Sequence, residues 1–489
     1  MTPSSKHRCG WRDRAEALET ELTSTRSELE ALRQKTSHLD ERIDDLNHRL
    51  FGKRSERQRI PSITAEIKKL NPSSNAEKQS KRKATLERKK QLESIPERPA
   101  VPTDQCHCEF CGDGPEQFQL VGSKASTVYS MQPARLIKKV ITRDTLACGC
   151  GRTMVSAPPP RRFGKTQYDA SVAATLITGK CEDSIPVARQ AQQLTRQGAP
   201  ANRATLNRIF LSGGEMLLPI AHCILQRVAS SDLVLADETP MRQQNQTSKG
   251  YFWVFSNEQL SAYVYSPNRS GDTPKRVLGD SQGDLVVDGF TGYNHVTTPG
   301  KRRRSGCSAH ARRKFCEAKP KTPEAQFAID QYTEIFLVEF EAKRQGITGT
   351  KAHLKLRQER SAPAVARLYK WLEEQEPQHL PKGKMGEAIT YALNNRDALT
   401  RFLTDAKIPI SNNRSERQLR GVALGRKNYM SVGHVEAGEK IAALYTIVAC
   451  CKAAGVNTTA YLTDTLERLA EHSDIPIESL LPSNWKPPG

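Results

Sequence analysis

The chain has 489 residues, with 74 Lys and Arg against 54 Asp and Glu, which gives a formal net charge of +20. That length is too great for one ordinary core, so several domains are expected. The positive excess indicates a polyanionic partner. No secretory signal begins the sequence, and its longest apolar run, 441–451, is too short to cross a bilayer, so we expect a soluble intracellular protein without a membrane partner. Its twelve cysteines are then expected as thiols or metal ligands rather than disulfides.

The first sixty residues predict a coiled coil. From Leu18 to Leu50, apolar or small residues recur at alternating steps of four and three, with charged residues between them. This 3.5-residue period favours a partner helix, parallel or antiparallel, over an amphipathic helix folded back on its own chain. We therefore expect a homo-oligomer formed through residues 1–60. The basic, almost entirely polar tract over 61–100 predicts a flexible linker.

Five cysteines follow the linker, namely Cys106, Cys108, Cys111, Cys148 and Cys150. Paired thiolates on two knuckles are what tetrahedral zinc requires, and the pair Cys108 and Cys111 has C-x-x-C spacing. A segment that resembles a strand, 136–146, comes next. It is followed by the second pair, Cys148 and Cys150, which has one residue between its thiols. Cys106 is a candidate substitute ligand. We therefore predict a zinc-binding module over 101–155 with one structural Zn²⁺. The alternative is that the thiols are grouped by coincidence.

Residues 156–228 have a helical pattern, with short connections near Gly179 and at 198–200. A helix, a glycine turn and a second helix opening at Asn202 or Thr205 suit a helix-turn-helix reader of DNA. Most helix pairs with a glycine turn are only packing units, so this DNA-binding region is one of two interpretations.

Two short apolar strands each deliver an acidic residue to a turn. Residues 233–236 precede Asp237 and Glu238, with Pro240 expected to end the strand, and residues 285–287 precede Asp288. Downstream, residues 411–420 predict a helix with Asn or Ser as its N-cap and with Glu416 on a polar face. Two Asp from strands and one Glu from a helix are the oxygen ligands that a two-magnesium phosphoryl-transfer site needs. The alternative is solvated carboxylates.

The order of the strands predicts the fold class. Apolar runs at 251–255 and 262–265 indicate inner strands that precede the Asp288 strand. Three antiparallel strands, then the Asp288 strand, then a helix with the third carboxylate is the ribonuclease-H-like order. We therefore predict an α/β protein with a ribonuclease-H-like catalytic domain over 229–430, a mostly helical insertion at about 305–405, and a C-terminal helical region over 431–489.

Basic residues accompany these carboxylates. The insertion begins with the run 301–304 and continues through Arg312 and Arg313, and arginines suit bidentate contacts with phosphate. Cys307 and His310 stand one helical turn apart but supply only half a metal site, so a structural hydrogen bond or a place lining the cleft is favoured. A further cationic edge follows the Glu416 helix at 425–429.

Several motifs resemble those of insertion sequence 66 family transposases. They are DETP from Asp237, DGFTGYN from Asp288, AHARRKF from Ala309, NNRSERQLRGVALGRKN from Asn412, LFGKRSER from Leu50, the cysteine knuckles, YLTDTLERL from Tyr461 and LLPSNW from Leu480. The match spans nearly the whole chain. It implies a catalytic domain of the DDE type with Asp237, Asp288 and Glu416 as magnesium ligands, and small accessory proteins encoded beside it. Ser308, Ser411, Gly421 and Tyr429 depart from the residues usual in the family, and none is an expected metal ligand.

The resemblance implies a bacterial, cytoplasmic, nucleoid-associated transposase. Two Mg²⁺ ions would activate water to cut at the element ends, and then the freed 3′-hydroxyl for joining to target DNA. The terminal inverted repeats would be recognised by the zinc and helical modules. The expected phosphate contacts are Arg312, Arg313, Arg417, Arg420, Arg426 and Lys427.

Two other functions compete with this reading. One is a noncatalytic DNA-binding repressor, although clustered negative charge near DNA would not help a protein that only binds it. The other is a ribonuclease-H-like nuclease without strand transfer.

Overall fold

The computed structural model describes residues 166–487, except 200, 245, 430, 472 and 473, together with Phe163 and short pieces before it. Those pieces are residues 14, 17–29, 31, 86, 136–138, 140, 142, 145–147 and 154–156. Residues 17–29 are helical, as predicted, and Leu18, Leu22 and Leu29 are 49–59% exposed there. Most of the predicted coiled coil and of the basic linker lies outside the described residues.

A two-stranded antiparallel sheet begins the better described part of the chain. It pairs β1 (Thr145–Ala147) with β2 (Met154–Ser156). The strand predicted over 136–146 is wrong at residues 136–138, 140 and 142, which have no regular structure, and Ile137 and Val140 are exposed; residues 145–146 do lie in β1. Their apolar side chains find no buried face, and burial is what favours such a strand. The zinc ligands predicted at Cys106, Cys108, Cys111, Cys148 and Cys150 lie outside the described residues.

The helices have the following bounds in chain order. Before the main sheet lie α1 (Ala170–Ile177), α2 (Val187–Arg196) and α3 (Arg203–Ala229). Within and after it lie α4 (Asp272–Leu278), α5 (Ser308–Ala318), α6 (Ala325–Gln345), α7 (Lys351–Leu356), α8 (Ala362–Gln375), α9 (Lys384–Asn394), α10 (Arg396–Thr400), α11 (Asn413–Tyr429), α12 (Val435–Ala454) and α13 (Thr458–Glu471).

Helix α3 begins where the sequence predicted. Asn202 is its N-cap, and the Asn202 side chain accepts a hydrogen bond of 2.8 Å from the backbone N–H of Ala204. By length and composition alone α3 is apolar enough to cross a membrane, the sole such helix in the described part of the chain. Its buried residues, including Leu206, Phe210 and Leu217, belong to the core that also holds the sheet. The apolar side chains of α3 therefore pack within the core of the protein.

The main sheet is mixed and has six strands. They are β3 (Leu233–Gln243), β4 (Lys249–Ser256), β5 (Ser261–Ser266), β6 (Gly283–Val287), β7 (Arg302–Gly306) and β8 (Ser431–Val432). Their order is β5-β4-β3-β6-β7, with β8 beside the end of β3. β3, β4 and β5 are antiparallel, whereas β6 is parallel to β3 and β7 to β6. Three antiparallel strands followed by the strand before Asp288 agree with the predicted order.

The sequence predicted that the strand at 262–265 would be an inner strand. The structure instead places this strand, β5, at the edge of the sheet. Helix α12 covers that edge, where the backbone N–H of Tyr263 donates to Oγ1 of Thr446 at 2.9 Å. The Cys450 thiol likewise donates to the carbonyl of Ser261 at 3.6 Å. A helix that satisfies the open backbone groups protects the edge from pairing with another chain.

Strand β3 continues through Pro240, although the sequence predicted that this proline would end it. The Pro240 carbonyl accepts a hydrogen bond of 2.7 Å from Nη1 of Arg426, so it points away from β4. The nitrogen and carbonyl of one strand residue face the same side, and the missing N–H of Pro240 therefore removes no bond to β4.

Arg302, Arg303 and Arg304 of the basic run lie in strand β7, directly after Lys301, and do not begin the helical insertion. Arg302 is 1% exposed and donates to the carbonyls of Ala229 (2.6 Å), Ser231 (3.0 Å) and Asp284 (3.3 Å). Arg304 donates to the carbonyl of Asp288 at 2.6 Å. The phosphate role predicted for this run is wrong for these two residues, because Arg302 is buried and bonded to carbonyls and both terminal nitrogens of Arg304 donate within the protein.

Between β7 and α11 the described residues form helices and turns without a strand, as the sequence predicted for an insertion. The buried Phe315 and Tyr332 pack there with ring centroids 6.1 Å apart. Apolar side chains from Phe163 to Leu481 form a core that joins the sheet to α1–α3 and α11–α13 and that contains no residue of the insertion.

Candidate active site

Asp237 lies on β3 beside the ends of β6 and α11. Burial raises the pKa of Asp237 most, and the carboxylates of Glu238, Asp288 and Glu416 raise it further. Asp288 directly follows β6, and Glu416 is in the first turn of α11. Asp288 and Glu416, which the sequence separates from Asp237 by about fifty and about 180 residues, are therefore both close enough in the fold to raise the pKa of Asp237.

The first turn of α11 is fastened to the sheet. The backbone N–H of the buried Asn412 donates to Sγ of Cys307 at 3.5 Å, and its side-chain amide donates to the carbonyl of Ala236 at 3.5 Å. One turn away, the hydroxyls of Ser415 and Ser256 share a hydrogen bond of 3.2 Å. These contacts hold Glu416 beside Asp237.

Cys307 therefore has the structural role that the sequence favoured. Burial raises the pKa of its thiol to about 12, so the sulfur stays protonated and serves as an acceptor for Asn412. A protonated thiol is a poor metal ligand.

Asp288 is held by its own turn. Its Oδ1 accepts a hydrogen bond of 2.9 Å from the backbone N–H of Phe290, while Arg304 binds the carbonyls of Asp288 and Phe290. A Cβ atom added at Gly289 would lie 2.3 Å from Cε2 of Tyr391, a residue of the insertion. The glycine that the sequence placed in this turn is required because an aromatic ring covers it.

Glu416 faces two residues of α5. Its Oε1 is 3.6 Å from Nε2 of His310 and 3.7 Å from Nη2 of Arg313. Both separations exceed hydrogen-bond length, and this buried oxygen makes no hydrogen bond with any described residue. Burial lowers the pKa of His310, against the opposing effects of Glu416 and Asp288. His310 therefore lines the site, which was one of its two predicted roles.

Glu238 is adjacent to Asp237 in sequence but is neutralised differently. Nε of Arg269 donates to Oε1 of Glu238 at 2.7 Å, and the Tyr293 hydroxyl donates to Oε2 at 2.9 Å. Burial raises the pKa of Glu238 most, Asp288 raises it further, and Arg269 lowers it. Protein donors thus occupy both Glu238 oxygens, which leaves Asp237 as the carboxylate that needs an external cation. Tyr293 was visible in the DGFTGYN motif, but no signal marked Arg269.

The six predicted phosphate contacts fall into two groups. Arg312 is 4% exposed, and Arg426 donates to the Pro240 carbonyl, so both are held within the protein. Exposed side chains make up the second group, namely Arg313, Arg417, Arg420 and Lys427. A phosphate role for any of the six stays a prediction, and it is better supported for the exposed group.

The donor chemistry of the site fits a hard divalent cation. Two Asp and one Glu supply oxygen ligands, the pKa of Asp237 is raised by its carboxylate neighbours, and Oε1 of Glu416 is a buried acceptor without a donor among the described residues. Within that part of the chain, no three His, Cys, Asp or Glu side chains stand close enough together to hold an ion as they are placed. Glu416 instead faces the positive charge of Arg313.

Fold and site together define a mixed α/β protein in which Asp237, Asp288 and Glu416 come from β3, the end of β6 and a cationic helix. Family comparison agrees: residues 165–440 match the family described as "Transposase IS66 family", and residues 446–483 match the IS66 C-terminal element. The chain belongs to the IS66 family of transposases. Membership implies DNA binding and, in general, the use of a divalent metal.

Three proteins of Sinorhizobium fredii (strain NBRC 101917 / NGR234) are similar to this chain. The uncharacterized protein y4jD is 30% identical over 391 residues, which are 75% of this chain and 76% of that protein. The uncharacterized protein y4qI is 30% identical over 423 residues (81% and 76%), and y4hP is 25% identical over 493 residues (92% and 88%). The similarity thus extends well beyond the carboxylate motifs.

Proposed function

We propose that this transposase cuts at the ends of an insertion sequence and joins the 3′ ends to target DNA by magnesium-dependent phosphoryl transfer. The observation that carries the proposal is the electrostatic coupling of Asp237, Asp288 and Glu416, which the sequence separates widely. The sheet order, with an acidic residue on β3 and another just after β6, supports a ribonuclease-H-like catalytic domain.

Asp237, Asp288 and Glu416 would hold two Mg²⁺ ions. At this site they would supply activation of the attacking water or 3′-hydroxyl and charge stabilisation for the leaving oxygen. The chain's own contribution is to fix these ligands, through Asn412 and Ser415 for Glu416 and through the Phe290 N–H for Asp288. Arg313, whose Nη2 is 3.7 Å from Oε1 of Glu416, would hold a phosphate oxygen next to the carboxylates.

The remaining modules are proposed to organise the DNA. One structural Zn²⁺ at Cys108, Cys111, Cys148 and Cys150, with Cys106 as substitute, would support end recognition, and the coiled coil would join two subunits. The helix pair α2 and α3 supports a DNA-binding role, since Arg189, Arg196, Arg203 and Arg208 are exposed on it. Target DNA and accessory proteins of the same element would be further partners.

The test uses the full chain and duplexes taken from the two borders of the DNA segment that carries the gene. Asp237→Asn, Asp288→Asn and Glu416→Gln should each lower the rate of Mg²⁺-dependent nicking at least about a hundredfold. Removing a metal ligand should reduce activity at least as much as removing a residue that hydrogen-bonds to a ligand. Binding of the duplexes should persist. Asp280→Asn is the control, because Asp280 is exposed and pairs with Lys301.

Three outcomes separate the proposal from its rivals. Normal cutting by any one of the three variants would show that its residue is not a ligand. A wild-type protein that binds ends but never cuts would favour the repressor, and one that cuts without joining 3′ ends to target would favour the nuclease.

A further inference from the structure

The outer face of α11 is cationic. Between Asn413 and Tyr429 the sequence has five basic residues and one acidic residue, Glu416. The buried positions Ser415, Leu419 and Val422 recur every three or four residues and turn toward the protein. The exposed positions lie on the opposite side, and they are Arg417, Arg420, Leu424, Lys427 and Asn428.

Three cations on this face are available to an external partner. Arg417, Arg420 and Lys427 make no hydrogen bond or ion pair with any residue in the described part of the chain. The other two basic residues of α11 differ, because Arg414 donates to the carbonyl of Glu258 and Arg426 donates to that of Pro240. Arg414 and Arg426 thus fasten the helix to backbone carbonyls, while Arg417, Arg420 and Lys427 are left for a polyanion.

Leu424 interrupts this cationic stripe. At 51% it is the most exposed large apolar side chain among the described residues of 166–487. A single exposed leucine is common, but this one lies four residues after Arg420 and three before Lys427, so cations flank it at each helical turn. DNA-binding surfaces combine cations for the phosphates with apolar contacts to base edges in this way.

The helix also sets the distances along this face. Glu416, Arg420, Leu424 and Lys427 follow one another at steps of four, four and three residues. At about 1.5 Å per residue, Leu424 lies about 12 Å and Lys427 about 16 Å along the axis from Glu416. A DNA strand advances about 3.4 Å per nucleotide, so these lengths correspond to about three to four and about five nucleotides.

The C-terminal end of α11 contacts the segment that precedes α2. The side-chain amide of Asn428 donates to the carbonyl of Ser184 at 2.9 Å, just before α2, on which Arg189 is exposed. The cationic stripe therefore runs from the carboxylate site to the helix pair that is proposed to bind DNA.

We propose that this outer face of α11 is a track for the transposon-end DNA, and that Leu424 contacts a base about three to four nucleotides from the scissile phosphate. The inference rests on the proposed function, because the track begins at the carboxylates. Duplex DNA is the occupant, since its phosphates supply the negative charge that the unpaired cations need and its base edges offer apolar groups such as the thymine methyl.

Photo-crosslinking tests the contact directly. Residue 424 is replaced by p-benzoylphenylalanine in the full-length Asp237→Asn chain, which is bound to the border duplexes and irradiated. We expect a crosslink centred about three to five nucleotides from the cleavage position. The same probe in place of Leu380, an exposed leucine of the insertion, should give none. A bound duplex without a crosslink from position 424, or a crosslink to protein instead, would overturn the inference.

Binding measurements give a second readout. Leu424→Gln should weaken binding of the border duplex at least about fivefold with an unchanged salt dependence, as expected for a lost base contact. Lys427→Gln should instead reduce the slope of log affinity against log salt by about 1. Leu380→Gln and Lys355→Gln are the matched controls, and Lys355 is a 76% exposed lysine of α7.

The outcomes distinguish this inference from the proposed function. If the wild-type chain binds neither border duplexes nor random duplexes of equal length, the proposed function fails and the track fails with it. If it binds border duplexes while the Leu424 and Lys427 variants behave like their controls, only the track is wrong.

Discussion

Asp237 and Glu238 are adjacent carboxylates with opposite surroundings. Arg269 and Tyr293 satisfy Glu238, whereas the hydrogen bond that Asp237 accepts among the described residues comes from the backbone N–H of Glu238, and burial, Glu238, Asp288 and Glu416 all raise the Asp237 pKa. Two neighbouring side chains on a strand point to opposite faces of the sheet, so the fold can neutralise one and leave the other charged. At the scale of the residue, the site is defined by which carboxylate lacks a protein cation.

This difference predicts how Asp237 affects stability. Burial and three carboxylates raise its pKa in the folded state, so ionised Asp237 destabilises the metal-free fold at neutral pH, and protonation relieves this as pH falls through the raised pKa. Asp237→Asn should therefore raise the thermal midpoint in EDTA at about pH 8, with a smaller gain at about pH 5. Thermal denaturation at both values checks this.

Two comparisons accompany that measurement. Mg²⁺ should raise the midpoint of the wild type more than that of the variant, because a ligand stabilises the state that binds it. Asp280→Asn should give no gain, since a hydrogen bond and charge from Lys301 lower the pKa of Asp280. A variant less stable than the wild type at both pH values would refute the electrostatic argument.

At the scale of the element, β7 shows that a basic run can be structural. Arg302 crosses from β7 to the end of α3 and the start of β6, where its guanidinium satisfies backbone carbonyls. Arg304 performs a similar task for the turn after β6. These arginines fix the strand that delivers Asp288.

Arg302→Met should lower the free energy of unfolding by about 3 kcal/mol or more, because it leaves several buried carbonyls without a donor. Lys301→Met in the same run should cost less than about 1 kcal/mol, since its partner Asp280 is exposed. Urea denaturation measures both. The soluble fraction of the Arg302 variant should keep the wild-type salt dependence of DNA binding, and a reduced slope would instead indicate a phosphate contact.

At the scale of the whole molecule, the net charge of +20 fits the DNA binding that membership of the family implies. Leu22 and Leu29 are 55% and 49% exposed in the helical residues 17–29, a degree of exposure that a partner helix would reduce. We propose that pairing of these helices allows both element ends to be held in one complex.

Leu22→Lys combined with Leu29→Lys should dissociate the oligomer, because two charges in the seam would be buried without partners. Nicking of a single end should survive, while joining of paired ends falls. Analytical ultracentrifugation and a paired-end joining assay measure the two effects. Thr20→Lys with Ser27→Lys is the control, since both are exposed and it adds the same two charges on the side of the helix opposite the seam. An unchanged oligomer in the Leu variant would assign the helix to another contact.

The sequence by itself determined the features that depend on local chemistry. Periodicity marked the strands before Asp237 and Asp288, the Asn202 cap marked the start of α3, and the glycine after Asp288 marked a tight turn. Each signal lies within a few residues of the feature it predicts. Motif resemblance then identified the family, because it compares whole stretches of sequence.

Only the tertiary structure decided which charges are already satisfied. From the sequence alone, Arg302 is expected to contact DNA. In the fold it instead donates to the carbonyl of Ala229, 73 residues away in sequence. From the sequence alone, Pro240 is expected to end β3. Its carbonyl instead accepts a hydrogen bond from Arg426 on the side away from β4, so β3 continues through it. A carboxylate, guanidinium or carbonyl finds its partner through folding and not through sequence distance, so whether a charged side chain is buried, paired or available to DNA is fixed only when distant segments meet.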